Sequence, residues 1–241
     1  MTNWLSRTEM ILGREALEKL KASNVLVVGL GGVGAYAAEM ICRAGVGSMT
    51  IVDGDTIHSS NRNRQLPALT STEGRSKAEV MGQRLKDINP EIRIEVINEY
   101  IKDERMTEIL DHGYDYVVDA IDTLSPKVFL IYHSLQKKLP IVSSMGAGGK
   151  FDPVSVTISD ISETNNCSLA RILRKKLHRL GVREGFTAVY SPEGIDKSKI
   201  VPTNGEQNKA SIVGTISYMP AAFGIACASV VIRDLAGVNS Q

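Results

Sequence analysis

Short apolar runs alternate with amphipathic segments along the first part of the chain, and this alternation predicts strands separated by helices. The predicted strands lie at 25–28, 49–52, 92–97, 116–118 and 140–143. The predicted helices lie between them at 33–44, 73–88, 105–111 and 126–137. Strands that are apolar on both faces and separated by helices are typical of parallel sheets covered on both sides. The pattern therefore predicts an α/β fold with a Rossmann-like, doubly wound and mainly parallel sheet.

The pattern changes after residue 149, where strands and helices no longer alternate in the same way. We predict an added strand at 154–158, a helix at 167–180 and a further strand at 187–190. The segment 191–210 is polar and rich in Gly, Pro, Asn and Lys, which predicts a mobile loop. The C-terminal part is therefore expected to add antiparallel strands to the sheet.

The stretch 210–232 contains no formal charge, so a membrane helix is one interpretation. Gly, Ala, Ser and Thr are frequent in it, however, and Pro220 interrupts it. Proline is well tolerated at the first position of a helix. We therefore favour a strand at 211–219 followed by a buried C-terminal helix that starts at Pro220, and we expect no membrane partner.

Length and composition suit one globular domain. The chain has 241 residues, of which 43% are hydrophobic and 23% charged. We expect a single domain over 1–241 that begins with a helical segment at 1–22. The formal net charge is +1 and the pI is about 7.7, whereas dedicated DNA-binding domains usually have a pI above about 9. Any contact with nucleic acid must therefore be made by a local basic patch.

The three cysteines, Cys42, Cys167 and Cys227, are widely spaced, and no two have the C-x-x-C spacing of a zinc site. Cysteines without a disulfide pattern are typical of a reducing compartment, so we expect a cytoplasmic protein. Residues 1–14 carry charges and lack an apolar core, which argues against a signal peptide. We interpret Cys42 and Cys227 as small core residues.

Four glycines, Gly29, Gly31, Gly32 and Gly34, lie between the first predicted strand and the helix that follows it. Glycines at this spacing permit a tight turn, and the N-terminus of the helix offers free N–H groups to a phosphate. Asp53 follows Gly34 by 19 residues, where a ribose-binding acid is expected. This much fits NAD, FAD and ATP equally well.

The stretch 60–65 contains two arginines and two asparagines just past the second predicted strand. Asn61 and Arg64, joined by Lys77 from the next helix, are suited to a triphosphate because arginine binds phosphate in a bidentate way. A nicotinamide cofactor has no triphosphate, so this cluster favours ATP-driven activation of a carboxylate. The alternative is a solvated basic rim made of the same cations and their neighbours, namely Arg62, Arg64, Arg75 and Lys77.

Two acids, Asp119 and Asp122, follow the fourth predicted strand. Ligands of open parallel sheets bind beyond the carboxyl ends of the strands. Asp122 is therefore placed to face the triphosphate, where a carboxylate helps to hold Mg²⁺. Asp119 has a structural alternative, since it could cap a turn or orient a helix.

These residues together resemble the adenylating domain of the ubiquitin-activating-enzyme-like ThiF/MoeB/HesA superfamily. The matched set is Gly29, Gly31, Gly32, Gly34, Asp53, Asp55, Asn61, Arg64, Gln65, Lys77 and Asp122. Within that superfamily the chain is most similar to the tRNA threonylcarbamoyladenosine dehydratases. That similarity rests on Asn63 before Arg64, on Lys127 after Pro126, and on the segment 146–153.

The resemblance implies a role for each matched residue. Asp53 would bind ribose, while Asn61, Arg64 and Lys77 would bind and neutralise the triphosphate. Asp122 would act through Mg²⁺. The rest of the matched set would also bind ATP, namely the four glycines, Asp55 and Gln65. The resemblance further implies a homodimer in which Arg7 is lent to the partner's ATP site and the apolar C-terminal region lies near the interface.

The resemblance also implies a reaction. A carboxylate of the modified nucleoside in tRNA attacks the α-phosphate of ATP, an acyl adenylate forms, and pyrophosphate leaves. The carbamoyl group of the same nucleoside then closes a ring and expels AMP, with the net loss of one water. No protein nucleophile is required, because well-oriented intramolecular steps can save roughly 7–11 kcal/mol.

The segment 167–183 carries six Lys and Arg residues and no acid, which suggests a phosphate-binding surface for tRNA. The helical period places Arg171, Arg174, Lys175 and His178 on the outer side. With Arg179, the first three of these residues are the candidate tRNA-binding set. The predicted apolar stripe comprises Leu169, Ile172, Leu173, Leu177 and Leu180. A solvated helix face is the alternative.

Three other functions remain open at this stage. An adenylyltransferase that activates the C-terminus of a ubiquitin-like sulfur carrier would share every ATP residue. A nicotinamide-dependent oxidoreductase would leave Arg64 and Lys77 without a task, and a non-catalytic scaffold would need neither metal nor triphosphate.

Cys167 opens the basic segment, where a thiol pKa can fall, but we favour a packing role. Whether a sulfur-relay or redox partner protein exists is left open.

Overall fold

The computed structural model describes residues 4–194, 196, 198, 200–202 and 211–238. The helices are α1 Ser6–Leu12, α2 Arg14–Ala22, α3 Gly34–Arg43, α4 Lys77–Ile88, α5 Asp103–Leu110, α6 Leu124–Gln136, α7 Ser168–Arg179 and α8 Tyr218–Ala236. The strands are β1 Asn24–Val28, β2 Ser48–Val52, β3 Arg93–Ile97, β4 Tyr116–Asp119, β5 Ile141–Ser144, β6 Thr157–Asp160, β7 Thr187–Tyr190, β8 Ile200–Pro202 and β9 Ser211–Val213. Short 3₁₀ turns lie at Ser59–Asn61, Thr70–Thr72, Pro153–Ser155 and Ile161–Glu163.

The main sheet has seven strands in the order β3-β2-β1-β4-β5-β7-β6. All neighbouring pairs are parallel except β6 and β7, which are antiparallel. A separate antiparallel pair is formed by β8 and β9. The predicted doubly wound, mainly parallel sheet with added antiparallel strands is therefore confirmed. The strand order reverses between β1 and β4, which is where open α/β sheets bind ligands.

Two apolar layers cover the sheet, and alternate residues of β1 point into opposite layers. Val25 and Val27 belong to the layer that contains α3, α4 and α8. Leu26 and Val28 belong to the layer that contains α5, α6 and α7. The four residues 25–28 are all apolar because helices exclude water from both faces of this strand.

The C-terminal helix α8 is part of the core. In the part of the chain that the structure describes, it is the one helix long and apolar enough to cross a membrane, but half of its most apolar window is buried inside the protein. A Cβ added to Gly224 would lie 2.4 Å from the carbonyl oxygen of Val33, so α8 and α3 pack backbone to backbone. The prediction of a buried C-terminal helix is confirmed, although α8 begins at Tyr218 rather than at Pro220.

Several predicted boundaries are wrong for local reasons. The helix predicted from residue 73 begins at Lys77, because Gly74 has a φ of +81° and the Ser76 hydroxyl caps the helix by accepting from the Glu79 N–H. Residues 153–155 form a 3₁₀ turn, and the strand β6 starts only at Thr157. The strand predicted over 211–219 ends at Val213.

The predicted loop 191–210 contains a strand. Part of this loop lies outside the described residues. The described part contains β8, which pairs with β9 in antiparallel register, with Ile200 opposite Val213. At the other end of the chain, α1 and α2 lie within the segment 1–22 that was predicted to be helical, and Gly13 with a φ of +82° separates them.

Candidate active site

The glycine loop is closed tightly against the end of β4. Gly29 has a φ of +90°, and a Cβ there would lie 2.7 Å from the carbonyl oxygen of Ala120. A Cβ on Gly34 would lie 1.7 Å from the carbonyl oxygen of Gly29. A Cβ on Gly32 would meet Pro220 at 2.8 Å, whereas one on Gly31 would make only ordinary contact with Gln65. Three of the four glycines are therefore required by packing, whereas a side chain at Gly31 would meet no clash.

The start of α3 faces the same space as the glycine loop. The helix begins at Gly34 after Val33, and no side chain caps its first turn. The first N–H groups of a helix have no partner within the helix, and they carry a partial positive charge. This end of α3 can therefore receive an anion such as a phosphate group.

Asp53 joins the end of β2 to the glycine loop. Its Oδ2 accepts from the Leu30 N–H at 2.6 Å, and its Oδ1 accepts from the Asp55 N–H at 2.8 Å. Burial raises the pKa of Asp53 above its usual value, while Lys77 and the two N–H groups act in the opposite direction. The carboxylate is held in place beside the loop at the position that was predicted for a ribose-binding acid.

Asp55 continues this hydrogen-bonded chain to Lys77. The Lys77 Nζ lies 2.7 Å from Asp55 Oδ2, and the side chains are 6% and 44% exposed respectively. The Lys77 N–H also donates to the Asp55 carbonyl oxygen at 3.0 Å, so the first turn of α4 is fixed to this segment. The ammonium group is thus buried, but solvent reaches the carboxylate that pairs with it.

The Tyr100 hydroxyl donates to the other oxygen of Asp55. This hydrogen bond, burial and the nearby carboxylates Asp55, Asp53 and Asp122 raise the pKa of Tyr100 to about 12. Asp122 is exposed and follows β4, and its effect on Tyr100 places it on the same side of the site. Tyr100 was not among the predicted site residues, since nothing near residue 100 in the sequence marks it as part of a nucleotide site.

The stretch 59–65 consists of the 3₁₀ turn Ser59–Asn61 and the turn that follows it, and its side chains support one another. The Asn61 Oδ1 accepts from the His58 N–H at 3.1 Å, and the Asn61 carbonyl oxygen accepts from the N–H groups of Arg64 and Gln65. The Arg64 Nη1 donates to the Ser60 carbonyl oxygen at 3.0 Å and to Asn63 Oδ1 at 2.9 Å. These contacts use one guanidinium nitrogen and hold Arg64 half-buried.

Gln65 carries an unsatisfied polar atom at the edge of the glycine loop. Within the described residues, its Oε1 is buried and has no hydrogen-bond partner. A buried unpaired amide oxygen costs roughly 1–3 kcal/mol. A ligand with a donor group at this edge would remove that cost.

Asp119 is sealed inside the protein, in contrast to Asp122. Its Oδ2 lies 2.7 Å from the Lys127 Nζ and accepts from the Ser143 hydroxyl at 2.6 Å. Its Oδ1 accepts from the Ile121 N–H at 3.1 Å. Both structural alternatives for Asp119 therefore apply, since it caps the turn that leads to Asp122 and also anchors α6. The pairing with Lys127 was not foreseen, although a lone cation in an apolar helix was a usable signal.

The segment 146–153 is fixed to the residues that follow β7. The Lys150 Nζ is buried and donates to the carbonyl oxygens of Ser191 and Glu193. The Glu193 carboxylate accepts from the N–H groups of Phe151 and Asp152. Burial lowers the pKa of Lys150 below its ordinary value, while Cys167 and Glu193 oppose this effect.

A second set of contacts links the segment 146–153 to the nucleotide side of the site. The Gly149 N–H donates to the Gly214 carbonyl oxygen at 2.8 Å. The neighbouring Thr215 carbonyl oxygen accepts from Asn63 Nδ2 at 3.0 Å. Asn63 was not predicted to bind phosphate. Its side chain instead joins the stretch 59–65 to the residues that hold the segment 146–153.

Arg7 lies away from the glycine loop of its own chain. It is exposed on α1, and the neighbouring Leu5 packs against Gly45, where a Cβ would lie 2.9 Å from Leu5 Cδ1. Gly45 follows the C-terminal end of α3, whereas Gly34 begins that helix. At 1.5 Å per residue these ends are about 16 Å apart. The structure therefore does not bring Arg7 together with the other predicted site residues.

The basic helix α7 differs from its predicted arrangement. Arg171, Lys175 and Arg179 are exposed, but Arg174 is half-buried and its Nη1 donates to the Thr164 carbonyl oxygen at 2.7 Å. The prediction that Arg174 lies on the outer side is therefore wrong. The predicted apolar stripe is wrong at two positions, because Ile172 and Leu180 are exposed, and the buried face consists of Ala170, Leu173 and Leu177.

The three cysteines are free and buried. Burial raises the pKa of Cys42 to about 11 and that of Cys227 to about 12. Cys167 precedes α7 at its cap position. Within the described residues, no group of three His, Cys, Asp or Glu side chains is arranged to hold a metal ion.

An open groove of about 430 Å³ lies at the opposite edge of the sheet. It is lined by Asn24, Ser48 and Arg93, which are the first residues of β1, β2 and β3. Ligands of open parallel sheets bind at the carboxyl ends of the strands, not at their amino ends. The glycine loop and its neighbours are therefore the better candidate for the active site.

The chain is similar to known proteins over most of its length. The profile of the ThiF family matches residues 5–241. The chain is 42% identical over 193 residues to the tRNA threonylcarbamoyladenosine dehydratase of Bacillus subtilis (strain 168), covering 80% of this chain and 76% of that protein. It is 39% identical over 195 residues to the enzyme of the same name from Escherichia coli (strain K12), covering 78% and 73%.

A solved structure gives the same result. The crystal structure of the E. coli dehydratase in complex with ATP superimposes with a TM-score of 0.88 at 33% identity, covering 97% of this chain and 93% of that one. The molybdopterin-synthase adenylyltransferase of Haemophilus influenzae is 39% identical, but over only 126 residues that cover 52% of this chain and 51% of that protein. The similarity to the dehydratases thus extends over much more of the chain.

Proposed function

This chain belongs to the ThiF family, and on that basis we propose that it is an ATP-dependent enzyme that dehydrates threonylcarbamoyladenosine in tRNA. The observation that carries the proposal is the hydrogen-bonded chain from Leu30 through Asp53 and Asp55 to Lys77. These hydrogen bonds fix the buried ammonium group of Lys77 beside the glycine loop, at the point where the strand order of the sheet reverses. Such an arrangement suits a triphosphate rather than the diphosphate of a nicotinamide cofactor.

Lys77, Arg64 and Asn61 are proposed to bind the triphosphate of ATP. Lys77 can turn from Asp55 to a phosphate oxygen because solvent already reaches the Asp55 carboxylate. Arg64 has guanidinium N–H groups beyond those used on Ser60 and Asn63, and arginine donates well to phosphate. The glycine loop, which has no side chain at Gly31, lets the phosphates approach the start of α3.

Asp53 and Gln65 are proposed to contact the remainder of the nucleotide. Asp53 would accept from the ribose hydroxyls, which favour its charged form and offset the effect of burial. The Gln65 Oε1 would gain the partner that it lacks among the described residues. Asp55 would stay beside the site to position Lys77 before ATP arrives.

Mg²⁺ is proposed to accompany ATP, with Asp122 as its protein ligand. Magnesium is usually held by one or two carboxylates together with phosphates and waters, not by a cage of protein ligands. Asp122 is exposed at the end of β4 and close enough to Tyr100 to affect its pKa. Bound there, the ion would neutralise charge on the phosphates.

The reaction then requires no protein nucleophile. An oxygen of the substrate carboxylate attacks the α-phosphorus and forms the C–O–P linkage of an acyl adenylate. The bond from the α-phosphorus to pyrophosphate breaks, and pyrophosphate leaves. The carbamoyl group attacks the activated carbonyl carbon, loses one N–H proton, and AMP leaves with the former carboxylate oxygen. Lys77 and Arg64 act by stabilising the charge that develops on the phosphates, and removing one such donor typically costs about 3–4 kcal/mol.

A homodimer with Arg7 in the partner's site is also proposed. Leu5, two residues before Arg7, packs against Gly45 at the end of α3 that lies about 16 Å from the glycine loop, so within one chain Arg7 is badly placed for catalysis. It is exposed on α1, close to the exposed side chains of Met10 and Ile11. A second copy packed on this surface would bury those apolar groups.

The tRNA is proposed to bind the exposed cations of α7. Arg171, Lys175 and Arg179 face solvent and can contact phosphates, whereas Arg174 is engaged with Thr164. The chain is proposed to act as a single adenylating domain in the cytoplasm. A sulfur-relay or redox partner protein stays a prediction, and it would not act through the three cysteines, which are buried.

Mass spectrometry of tRNA nucleosides tests this function. After incubation of threonylcarbamoyl-modified tRNA with ATP and the protein, we expect a nucleoside that is lighter by one water, together with AMP and pyrophosphate. A reaction without ATP is the control and should leave the nucleoside unchanged. An unchanged nucleoside in the complete reaction, with adenylation of a ubiquitin-like carrier instead, would establish the adenylyltransferase alternative.

A further inference from the structure

Two exposed aromatic side chains lie side by side next to the nucleotide site. Phe151 is 65% exposed and Tyr218 is 40% exposed. Their ring centroids are 6.1 Å apart, and the rings meet edge to face at 77°. We call these two residues the aromatic pair. Neither has a role in ATP binding or in the proposed chemistry.

The aromatic pair is held by the protein even though its rings face solvent. The Tyr218 hydroxyl donates to the Phe151 carbonyl oxygen at 2.9 Å. The Phe151 N–H donates to the Glu193 carboxylate, and the preceding Lys150 is anchored to Ser191. Ordering these side chains on binding would therefore cost little conformational entropy, because their backbone is already fixed.

The aromatic pair is close to the glycine loop. Tyr218 is two residues before Pro220, and Pro220 contacts Gly32. Two residues of helix rise only about 3 Å, so Tyr218 lies on the order of 10 Å from the loop. The link from Asn63 to the Thr215 carbonyl oxygen connects the same region to Arg64.

The chemistry of the proposed substrate sets a distance of its own. The reacting carboxylate carbon is joined to the adenine ring through five covalent bonds, which extend to about 6 Å. The adenine must therefore lie close to the α-phosphate, on the side opposite the leaving pyrophosphate. Single-stranded RNA bases that are taken out of their stack are commonly bound against aromatic side chains.

We propose that the aromatic pair is the stacking surface for the adenine that carries the threonylcarbamoyl group. This inference rests on the proposed function and adds to it the place where the base binds. The exposed face of Phe151 receives the base, and Tyr218 keeps Phe151 in position through its ring and its hydroxyl. The cations of α7 contact the phosphates of the same tRNA, so the two surfaces divide base binding from backbone binding.

Steady-state kinetics on modified tRNA test the proposal, with the dehydrated nucleoside as readout. Stacking on one aromatic side chain corresponds to roughly a 5- to 150-fold effect on affinity. We therefore expect Phe151→Ala to raise KM for the modified tRNA by that factor, with KM for ATP unchanged within twofold. Because stacking is not ionic, the dependence of tRNA binding on salt should keep its slope.

Three further variants separate stacking from other effects. Phe151→Trp should retain a low KM, whereas Phe151→Leu, which is apolar but has no aromatic face, should behave like Phe151→Ala. Phe129→Ala is the matched control, since Phe129 is 43% exposed on α6 and its ring stacks on His133. Urea unfolding of each variant should match the wild type, because the exposed ring of Phe151 adds little to stability.

The possible results separate this inference from the proposed function. A wild-type protein that converts no nucleoside overturns both. A wild-type protein that converts it, with an unchanged KM in Phe151→Ala or a wild-type KM in Phe151→Leu, overturns only the stacking surface. A rise in KM for ATP equal to that for tRNA also overturns it, since the ring would then support the nucleotide instead.

Discussion

Two lysine–aspartate pairs lie at the carboxyl edge of the sheet with the same separation of 2.7 Å, but solvent reaches only one of them. In the first pair, Lys77 is buried while Asp55 is 44% exposed. In the second, Lys127 and Asp119 are both exposed by 1% or less. Equal distances therefore describe two different situations, and the exposure of the acid decides which one applies.

The two pairs differ in what happens to the aspartate when its lysine moves away. If Lys77 turns to a phosphate, Asp55 remains solvated and hydrogen-bonded to Tyr100. If Lys127 left, Asp119 would remain as a buried charge without its countercharge, which is strongly unfavourable. The open pair can exchange its lysine with a ligand, whereas the sealed pair can only hold the structure together. Asp119 in turn fixes the Ile121 N–H and thus the turn that carries Asp122.

Removing the sealed lysine should have the largest effect. We expect Lys127→Met to lower the free energy of unfolding by about 3–5 kcal/mol, because it leaves Asp119 buried and charged. Urea unfolding followed by circular dichroism measures this loss. Combining Lys127→Met with Asp119→Asn removes the charge and keeps an acceptor for Ile121, so the double variant should be more stable than Lys127→Met alone. Equal stability of the two would contradict the comparison.

Removing the open lysine should affect turnover more than stability. We expect Lys77→Met to lower the dehydration rate by about 10²–10³, because a preorganised donor to the developing phosphate charge is lost. Its unfolding free energy should change less than that of Lys127→Met, since Asp55 stays solvated. Lys137→Met is the matched control, because it removes the lysine of a surface pair with Asp111. Such pairs contribute at most about 1 kcal/mol, and this control should keep its rate.

The same contrast exists between two cations of α7 and gives a smaller prediction. Arg174 donates to the Thr164 carbonyl oxygen, and a hydrogen bond to a charged group contributes about 1.5–3 kcal/mol. Arg174→Met should therefore reduce the free energy of unfolding.

The double variant Lys175→Met with Arg179→Met should instead weaken tRNA binding. The slope of log affinity against log salt concentration should become shallower by roughly 0.7–0.9 for each lost phosphate contact. Filter binding over a salt series would contradict the tRNA surface if the slope stayed the same.

The smallest expected effect concerns Asp53 and pH. Its pKa is raised in the folded protein, chiefly by burial, so its contribution to stability is largest below the unfolded pKa of about 3.9 and is lost as pH rises. Asp53→Asn does not titrate. The variant should therefore gain stability relative to the wild type as the pH rises from the acid range toward neutrality. Urea unfolding at several pH values measures this trend, and a constant difference would contradict it.

The sequence was most informative where a structure depends on neighbours along the chain. The glycine loop and β1 were predictable because a strand, a tight turn and a helix start follow one another within about twelve residues. The start of α4 was predicted too early because the helical periodicity continues on the N-terminal side of Ser76. A serine followed three residues later by Glu79 is itself a cap signal. Local patterns thus located the elements and missed their ends.

Contacts between distant segments could not be derived in this way. Glu193 accepts from the Phe151 N–H across 42 residues, and Asn63 reaches the Thr215 carbonyl oxygen across 152. Arg174 was misplaced because helical periodicity describes where a side chain starts, not where a long one ends. Its guanidinium group reaches back to the turn before α7, where Thr164 lies. No regularity along the chain encodes these contacts.

The packing of α8 has a consequence for how the protein is made. Gly32 and Val33 are translated near the start, but the residues that pack on them, Pro220 and Gly224, are translated near the end. A chain still on the ribosome therefore carries its glycine loop without the helix that covers one flank of it. The nucleotide site is completed only after α8 has left the exit tunnel, so chains that terminate early, before residue 218, should be unable to form it.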